Sequence, residues 1–402
     1  MGKIKIIIVV LLFLNISYSE TQKGLTPPKR WVRRVIHPPD NPPPYGNYFA
    51  GEIAIGDARN DGINRLYCAN LNLNENLVEY TWTGTEWVKT TIFSGTNFDG
   101  IVIGKARATD NLNRIYCYRS IGTRKLYEIS YENGNWVMQE IPLPMIPYGH
   151  LVTSILIGDG RNDGVNRLYI SSSQFKSYEF KYDGNGWVLE SIVSNHIRIG
   201  SLGDGRGDGI NRFYGITDVD SLFEITYSNN GWEENLVGIW PNTQNIPVPE
   251  GGLGTPHLFH FGYVGPMVIV NGIFDRIFYA FKYNPQTKIW EVTQMHPFLP
   301  RYLYGLSPGF EYCDVMQDPR TYLFKKNLYV PAVPEDVPHG DTLYIHEFSY
   351  DPLQNTWTRN VISYISVTPP PQFGCIKCGN IRGKDCIYAI CVDGTIVEIC
   401  YE

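Results

Sequence analysis

Three stretches, at residues 57–62, 159–164 and 204–209, read Asp-x-Arg-x-Asp-Gly. They stand one residue type away from the Asp-x-[Asp/Asn]-x-[Asp/Asn]-Gly loop that holds calcium through oxygen ligands. Calcium needs an oxygen at the third position, and Arg59, Arg161 and Arg206 occupy it. A guanidinium set between two carboxylates neutralises them as a cation would, through paired N–H···O hydrogen bonds. The expectation is a structural turn with internal Arg–Asp pairing, calcium disfavoured and no cofactor implied. A further copy has Lys105 in place of the first Asp, which disfavours calcium again. It also has Asn111 where the others have a glycine suited to positive φ.

Of eight histidines, His150, His196, His257, His260, His296 and His339 fall between or beside these copies. Irregular connections run over 145–151, 240–256 and 296–309, and long irregular connections commonly carry function. Aromatic faces stack on sugar rings or peptide side chains while polar neighbours orient them. Tyr148, His150, Trp240, His257, Arg301, Tyr302 and Tyr304 are therefore the candidate contacts for a carbohydrate or a surface protein. The spacing His257-x-x-His260 resembles a metal pair, but in a strand positions i and i+3 face opposite ways. The rival reading is an enzyme, a lyase or hydrolase acting on a polysaccharide or small molecule. It would use His260 or His296 as base and Glu311 as carboxylate partner.

Eight cysteines are placed unevenly, with Cys375, Cys378, Cys386, Cys391 and Cys400 crowding the end of the chain. Their spacing does not match a zinc ribbon. A hairpin turning near Arg382-Gly383 would set Cys378 against Cys386 and Cys375 near Cys391, which makes those four the disulfide candidates. Cys68 and Cys117 occupy equivalent places in two copies and read as buried thiols.

These residues sit on a repeat. An apolar run, the Asp-Gly loop, Asn-Arg-[Leu/Ile/Phe]-Tyr, a second apolar run, a turn and a Trp strand recur about every fifty residues. Each copy supplies four short strands, one antiparallel blade. Blades are expected near 51–92, 101–141, 151–192, 197–237, 257–295 and 310–362. A seventh, 373–402, lacks its Trp strand. Residues 30–36, inside the Pro-rich segment 20–50, supply a spare one. Pairing them with the strand ending at Tyr401 would remove two raw edges and close a ring of seven. The fold class is all-β, a seven-bladed β-propeller of four-stranded antiparallel blades closed by an N-terminal strand. The repeated Tyr and Trp rings are expected to pack between neighbouring sheets.

Residues 1–19 read as a signal peptide: Lys3 and Lys5, an apolar core over 6–14, then Ser17-Tyr18-Ser19. No apolar run is long enough to span a bilayer. The expectation is a secreted protein, extracellular or periplasmic. A formal charge of −6 without a basic run argues against a nucleic-acid partner. The repeat order, over about residues 30–402, resembles the secreted seven-bladed propellers built from YVTN- or NHL-like repeats. That resemblance implies the fold; propellers of this kind include scaffolds, lectins, lyases and hydrolases.

Overall fold

The computed structural model describes residues 30–38, 52–69, 76–95, 98–119, 125–143, 152–217, 221–239, 256–260, 265–271, 278–296, 311–313, 327–332, 342–351, 354, 356–366, 376–390 and 395–402, some strand ends by backbone only. Residues 1–29 and most of the Pro-rich segment lie outside that set. Among the described residues every regular element is a strand, and the strands form seven four-stranded antiparallel sheets.

The closing strand is β1 (Trp31–His37). Blade one is β2 (Ile53–Gly56), β3 (Arg65–Ala69), β4 (Leu77–Trp82) and β5 (Trp87–Phe93). Blade two is β6 (Gly100–Gly104), β7 (Arg114–Arg119), β8 (Lys125–Glu132) and β9 (Asn135–Ile141). Blade three is β10 (Val152–Gly158), β11 (Arg167–Ser172), β12 (Ser177–Tyr182) and β13 (Trp187–Ser194). Blade four is β14 (Arg198–Gly203), β15 (Arg212–Ile216), β16 (Ser221–Ser228) and β17 (Gly231–Ile239). Blade five is β18 (His257–His260), β19 (Pro266–Asn271), β20 (Phe278–Asn284) and β21 (Ile289–His296). Blade six is β22 (Glu311–Cys313), β23 (Asn327–Ala332), β24 (Thr342–Asp351) and β25 (Thr356–Ser366). Blade seven is β26 (Ile376–Asn380), β27 (Asp385–Ile390), β28 (Ile396–Tyr401) and, last in sheet order, β1.

Ring closure follows the sequence expectation. Trp31 pairs with Tyr401 and Val32 with Cys400, and the ladder continues antiparallel to His37 opposite Ile396. Arg34 donates from Nη2 to Glu402 at 2.5 Å, and its Nη1 lies 3.6 Å from the buried Glu398. The head of the propeller thus supplies the fourth strand of its tail.

Second strands are buried along nearly their whole length, as β3, β11 and β15 are, because both of their faces meet a neighbouring sheet. One contact repeats at five seams. The second-strand tyrosine meets the next blade's Trp edge-on: Tyr67–Trp136, Tyr116–Trp187, Tyr169–Trp232, Tyr214–Trp290 and Tyr388–Trp87, with centroids 5.8–6.4 Å apart. Edge-to-face rings gain beyond the area they bury. The inner strands approach still more closely. A Cβ on Gly158 would fall 2.6 Å from Leu202, and one on Gly56 2.9 Å from Ile103, so glycine seats an aliphatic side chain of the next blade.

Under each loop lies a buried carboxylate. Glu79, Glu128, Glu179, Glu224 and Glu398, on the third strands, are at most 1% exposed. Glu79 accepts a two-pronged bond from Arg59 at 2.7 and 2.8 Å, and Glu224 the same from Arg206 at 2.5 and 2.9 Å. Arg107 and Arg161 do this for Glu128 and Glu179, and Arg382 donates a single bond from Nη1 to Glu398. Each of these arginines also lies over a ring of the following blade: Tyr131, Tyr182, Tyr227, Tyr283 and, across the closing seam, Trp82, at 3.9–4.6 Å.

The cysteines depart from expectation by one residue of register. The β26–β27 turn pairs Gly379 with Cys386 and sets Cys378 opposite Ile387. Cys386 bonds instead to Cys400, its direct partner across β27 and β28, with the Cα atoms 4.5 Å apart. A slip of one residue turns a side chain to the other face of the sheet. Cys378 is disulfide-bonded as well, whereas Cys375 and Cys391 lie outside the described residues. Cys68 and Cys117 are fully buried, as expected.

Two outcomes follow for stability. Glu179→Gln leaves two guanidinium groups without their buried counter-charge and is expected to cost about 3–5 kcal/mol in urea denaturation. Glu140→Gln, which breaks the exposed Lys125–Glu140 pair, should leave the urea midpoint unchanged. Separately, a chain starting at Pro38 should melt about 5 °C or more below one starting at Arg30 and aggregate through the bared β28 edge. Equal melting points would contradict the closing role of β1.

Candidate functional site

The Asp-Gly loops are the first candidates, and the structure shows how their charges are used. Asp57 accepts the N–H groups of Asp61 and Gly62 at 3.1 and 2.8 Å, and Asp159 repeats this with Asp163 and Gly164. Gly62, Gly164 and Gly209 take φ of +85°, +79° and +84°, as the turn requires. Asn111 stays out of the left-handed region, because the loop of blade two is one residue longer.

The expected pairing of Arg59, Arg161 and Arg206 with the loop carboxylates does not occur. Those arginines turn inward to the third-strand glutamates. The loop aspartates are held by the arginine that begins the second strand: Arg65 reaches both oxygens of Asp61 at 2.8 and 2.6 Å, Arg167 those of Asp163, and Arg212 those of Asp208. These bonds hold all three carboxyl groups at a pKa of about 2, chiefly through the arginine. Neighbouring loops are also laced together. Asn60 and Asn113 exchange bonds at 3.0 and 2.7 Å, as Asn162 and Asn211 do. The third-strand glutamates were not singled out from the sequence, although a Glu recurs directly before each aromatic-or-Ile-x-aromatic ending, as in Glu79-Tyr80-Thr81-Trp82, Glu128-Ile129-Ser130-Tyr131 and Glu179-Phe180-Lys181-Tyr182.

Among the described residues, one trio has metal-binding side chains close together: Cys386, Glu398 and Cys400. Its two sulfurs are bonded to each other, and Glu398 already accepts bonds from Arg382 and Tyr388. The trio is a piece of the closing blade, not a centre.

The second candidate is the wall of the central channel, built from the first strand of each blade. The start of each first strand faces the irregular-loop end. There stand Glu52 just before β2, Asp99 before β6, Arg198 opening β14, and His257 opening β18. Lys377 lies at the second position of β26. Glu52, Arg198, His257 and Lys377 are all half-buried, touched by solvent yet enclosed by protein. Enclosure shifts the pKa of Glu52, Arg198 and His257. Burial raises the Glu52 carboxyl, with Lys377 and the Ile101 N–H opposing and Asp99 adding to the rise. Burial takes the His257 imidazole down to about 3, with Lys377 pushing the same way. Burial also lowers Arg198. Glu52, Asp99, Lys377 and His257 therefore lie within electrostatic reach of one another, whereas burial alone acts on Arg198.

Beside that passage, on the β11–β12 hairpin, Phe175 has φ of +59°. The Arg198 guanidinium lies 5.4 Å from its ring centre. Asn60, Asn133 and Asn162 share the left-handed region, which asparagine tolerates; a bulky aromatic is a genuine outlier there.

Of the residues the sequence offered, His257 stands on the channel wall. His260 is on the same strand, Glu311 begins β22, the first strand of the next blade, and His296 ends β21, the outermost strand of blade five. The last three are described by backbone only. Tyr148, His150, Trp240, Arg301, Tyr302 and Tyr304 lie outside the described residues. Glu52, Arg198 and Lys377 had no local motif to mark them, being single charges in apolar strands.

No protein-family model matches the sequence, and no curated protein matches it. Among solved structures, BBS1N in complex with ARL6DN is similar over 92% of this chain and 98% of its own, at 15% identity and a TM-score of 0.54. A protein from Lactobacillus plantarum is 12% identical over 80% of this chain and 86% of its own, with a TM-score of 0.48. AofleA from Arthrobotrys oligospora is 12% identical over 85% and 93%, with a TM-score of 0.44. The BBS1N likeness is one of fold.

The aspartate pKa values set the acid limit of the loops. Their folded pKa of about 2 lies below the ordinary 3.8, so the stabilisation is complete above about pH 4 and is lost as pH falls toward 2. Thermal melts at pH 7, 4 and 2.5 should show this loss, and Asp61→Asn with Asp163→Asn and Asp208→Asn should flatten it. Independently, the His257 imidazole should show no NMR titration between about pH 4.5 and 8.

Proposed function

We propose that the chain is an exported binding module that takes a protein partner on its irregular-loop face, around the channel entrance. The contrast between the two faces carries this reading. On the Asp-Gly face the repeated arginines, aspartates and glutamates of blades one to four are bonded to one another, and the repeated rings are packed between sheets. At the other end of the first strands stand half-buried charges of both signs, Glu52 beside Lys377, and Arg198 near the strained ring of Phe175. Recognition falls to the end whose side chains differ from blade to blade. Packing of the repeated rings between sheets also favours one ligand per chain over a lectin with a sugar on every blade.

BBS1N, a chain of similar trace, was crystallised in complex with ARL6DN, which supports a protein partner. Export is supported by the Cys386–Cys400 bond and the bonded state of Cys378, since disulfides persist in oxidising compartments. The carbohydrate reading rests on the sequence alone, through Tyr148, Trp240, Tyr302 and Tyr304, which lie outside the described residues. The enzymatic reading keeps one point in favour: β18 and β22, first strands of successive blades, carry His257, His260 and Glu311.

Placing a photo-crosslinking residue at Phe175 or at Ile63 separates the faces, since Ile63 is 47% exposed on the Asp-Gly side. With extract of the producing organism's surroundings, a discrete adduct from position 175 and none from 63 is expected. Adducts from 63 alone, or from neither, would overturn the proposal.

A further inference from the structure

Each blade ends in an outermost strand whose hydrogen-bonding edge is a template for another strand unless something blunts it. Among the described residues, six of the seven outermost strands are blunted at an equivalent place by a bulge. In blade one Leu77 faces Phe93 and Val78 faces Thr91, which leaves Ile92 unpaired. In blade four Leu222 faces Gly238 and Phe223 faces Leu236, which leaves Val237 unpaired. A bulge bends the strand and adds twist, so a flat mate no longer fits. The exception is β9. It runs in unbroken register from Asn135 opposite Glu132 to Ile141 opposite Leu126. Between its Trp and that last pair it is one residue shorter than β5 or β17.

A second protection is weak there as well. Arg33, Lys89, Glu190, Glu233, Glu291 and Arg359 each stand third or fourth in their strands, and a charge inside an edge strand deters pairing. The one charge of β9, Glu140, is next to last and is paired with Lys125. The middle of the strand is Val137 and Met138, 45% and 37% exposed, on opposite faces of the sheet. We infer that β9 is a self-association edge, on which a second copy of this chain pairs its own β9 antiparallel about a two-fold axis. Charge selects that occupant. With Val137 or Met138 at the axis, Glu140 of one copy falls opposite residues 134–136 of the other and never opposite its own counterpart. The strand is complementary to itself, as a contact using the same patch on both copies requires. Each exposed aliphatic side chain then gains cross-strand neighbours, and two second blades become one continuous sheet. The edge belongs to the rim of blade two, so the inference stands apart from the binding-face reading.

The test is analytical ultracentrifugation of the full chain, which should show a monomer–dimer equilibrium. Val137→Lys combined with Met138→Lys brings like charges to the axis and should raise the dimer Kd at least about tenfold. Val88→Lys, at the equivalent position after the Trp of β5, should leave the Kd unchanged. One threonine inserted after Gln139, giving β9 the length of its counterparts, should weaken the dimer as the lysines do. Under mild oxidation Met138→Cys should yield a dimer linked through position 138, and Val88→Cys should not be linked. This last measurement decides the matter if the lysine variant fails to fold. A monomeric parent, which would leave the edge to a strand of some other protein, would overturn the inference. So would a dimer indifferent to the lysines, or linkage through position 88 as readily as through 138.

Discussion

A carboxylate taken out of water governs blades one to four and blade seven. Glu79, Glu128, Glu179, Glu224 and Glu398 are at most 1% exposed, and a charge that deep survives only with cations brought to it. Much of the local architecture serves that delivery. The loop after the first strand folds back so that its arginine reaches inward, held in blades one, three and four by the Asp57-type turn and a glycine with positive φ. The arginine that begins the second strand flanks the same carboxylate, Arg65 Nε lying 3.8 Å from Glu79 and Arg212 Nε 3.5 Å from Glu224. The inward guanidinium then offers its outer face to a ring of the next blade. One buried charge thereby fixes a loop, a strand and a neighbour.

Fold was largely legible because it repeats. The Asn-Arg-Leu-Tyr and Trp signals recur, and the spare strand at Trp31–His37 is recognisable as the fourth member that the last blade lacks. Local chemistry was only partly legible, because proximity in sequence misdirects ion-pair assignment. Arg59 sits two residues from Asp57 and two from Asp61, yet bonds to Glu79, since a residue in a tight turn points away from its neighbours. The cysteines erred for a related reason. A hairpin assumed symmetric about Arg382 differs by one residue from the real one, in which Asn380 faces Asp385, and in a sheet one residue changes the face.

The channel wall was illegible for a deeper reason. Two residues before the inner glycine stand Ala54, Val102, Leu156 and Ser201 in the first four blades and Lys377 in the seventh. In blade five, where Leu258 fills the seat made by Gly203, His257 holds the position next to it. The framework tolerates small, aliphatic or charged residues at this level, so its pattern carries no signal of its own. Only assembly of the ring places these side chains in one passage.

The seat made by glycine for an aliphatic side chain has a consequence for how such a ring changes size. Gly56–Ile103, Gly104–Ile157, Gly158–Leu202, Gly203–Leu258 and Gly379–Ile55 are the same joint used five times, once across the place where chain end meets chain beginning. A module that joins both neighbours through an identical fitting can be duplicated or deleted without redesigning any other junction. Only the circumference would then change, and with it the bore of the passage through the middle.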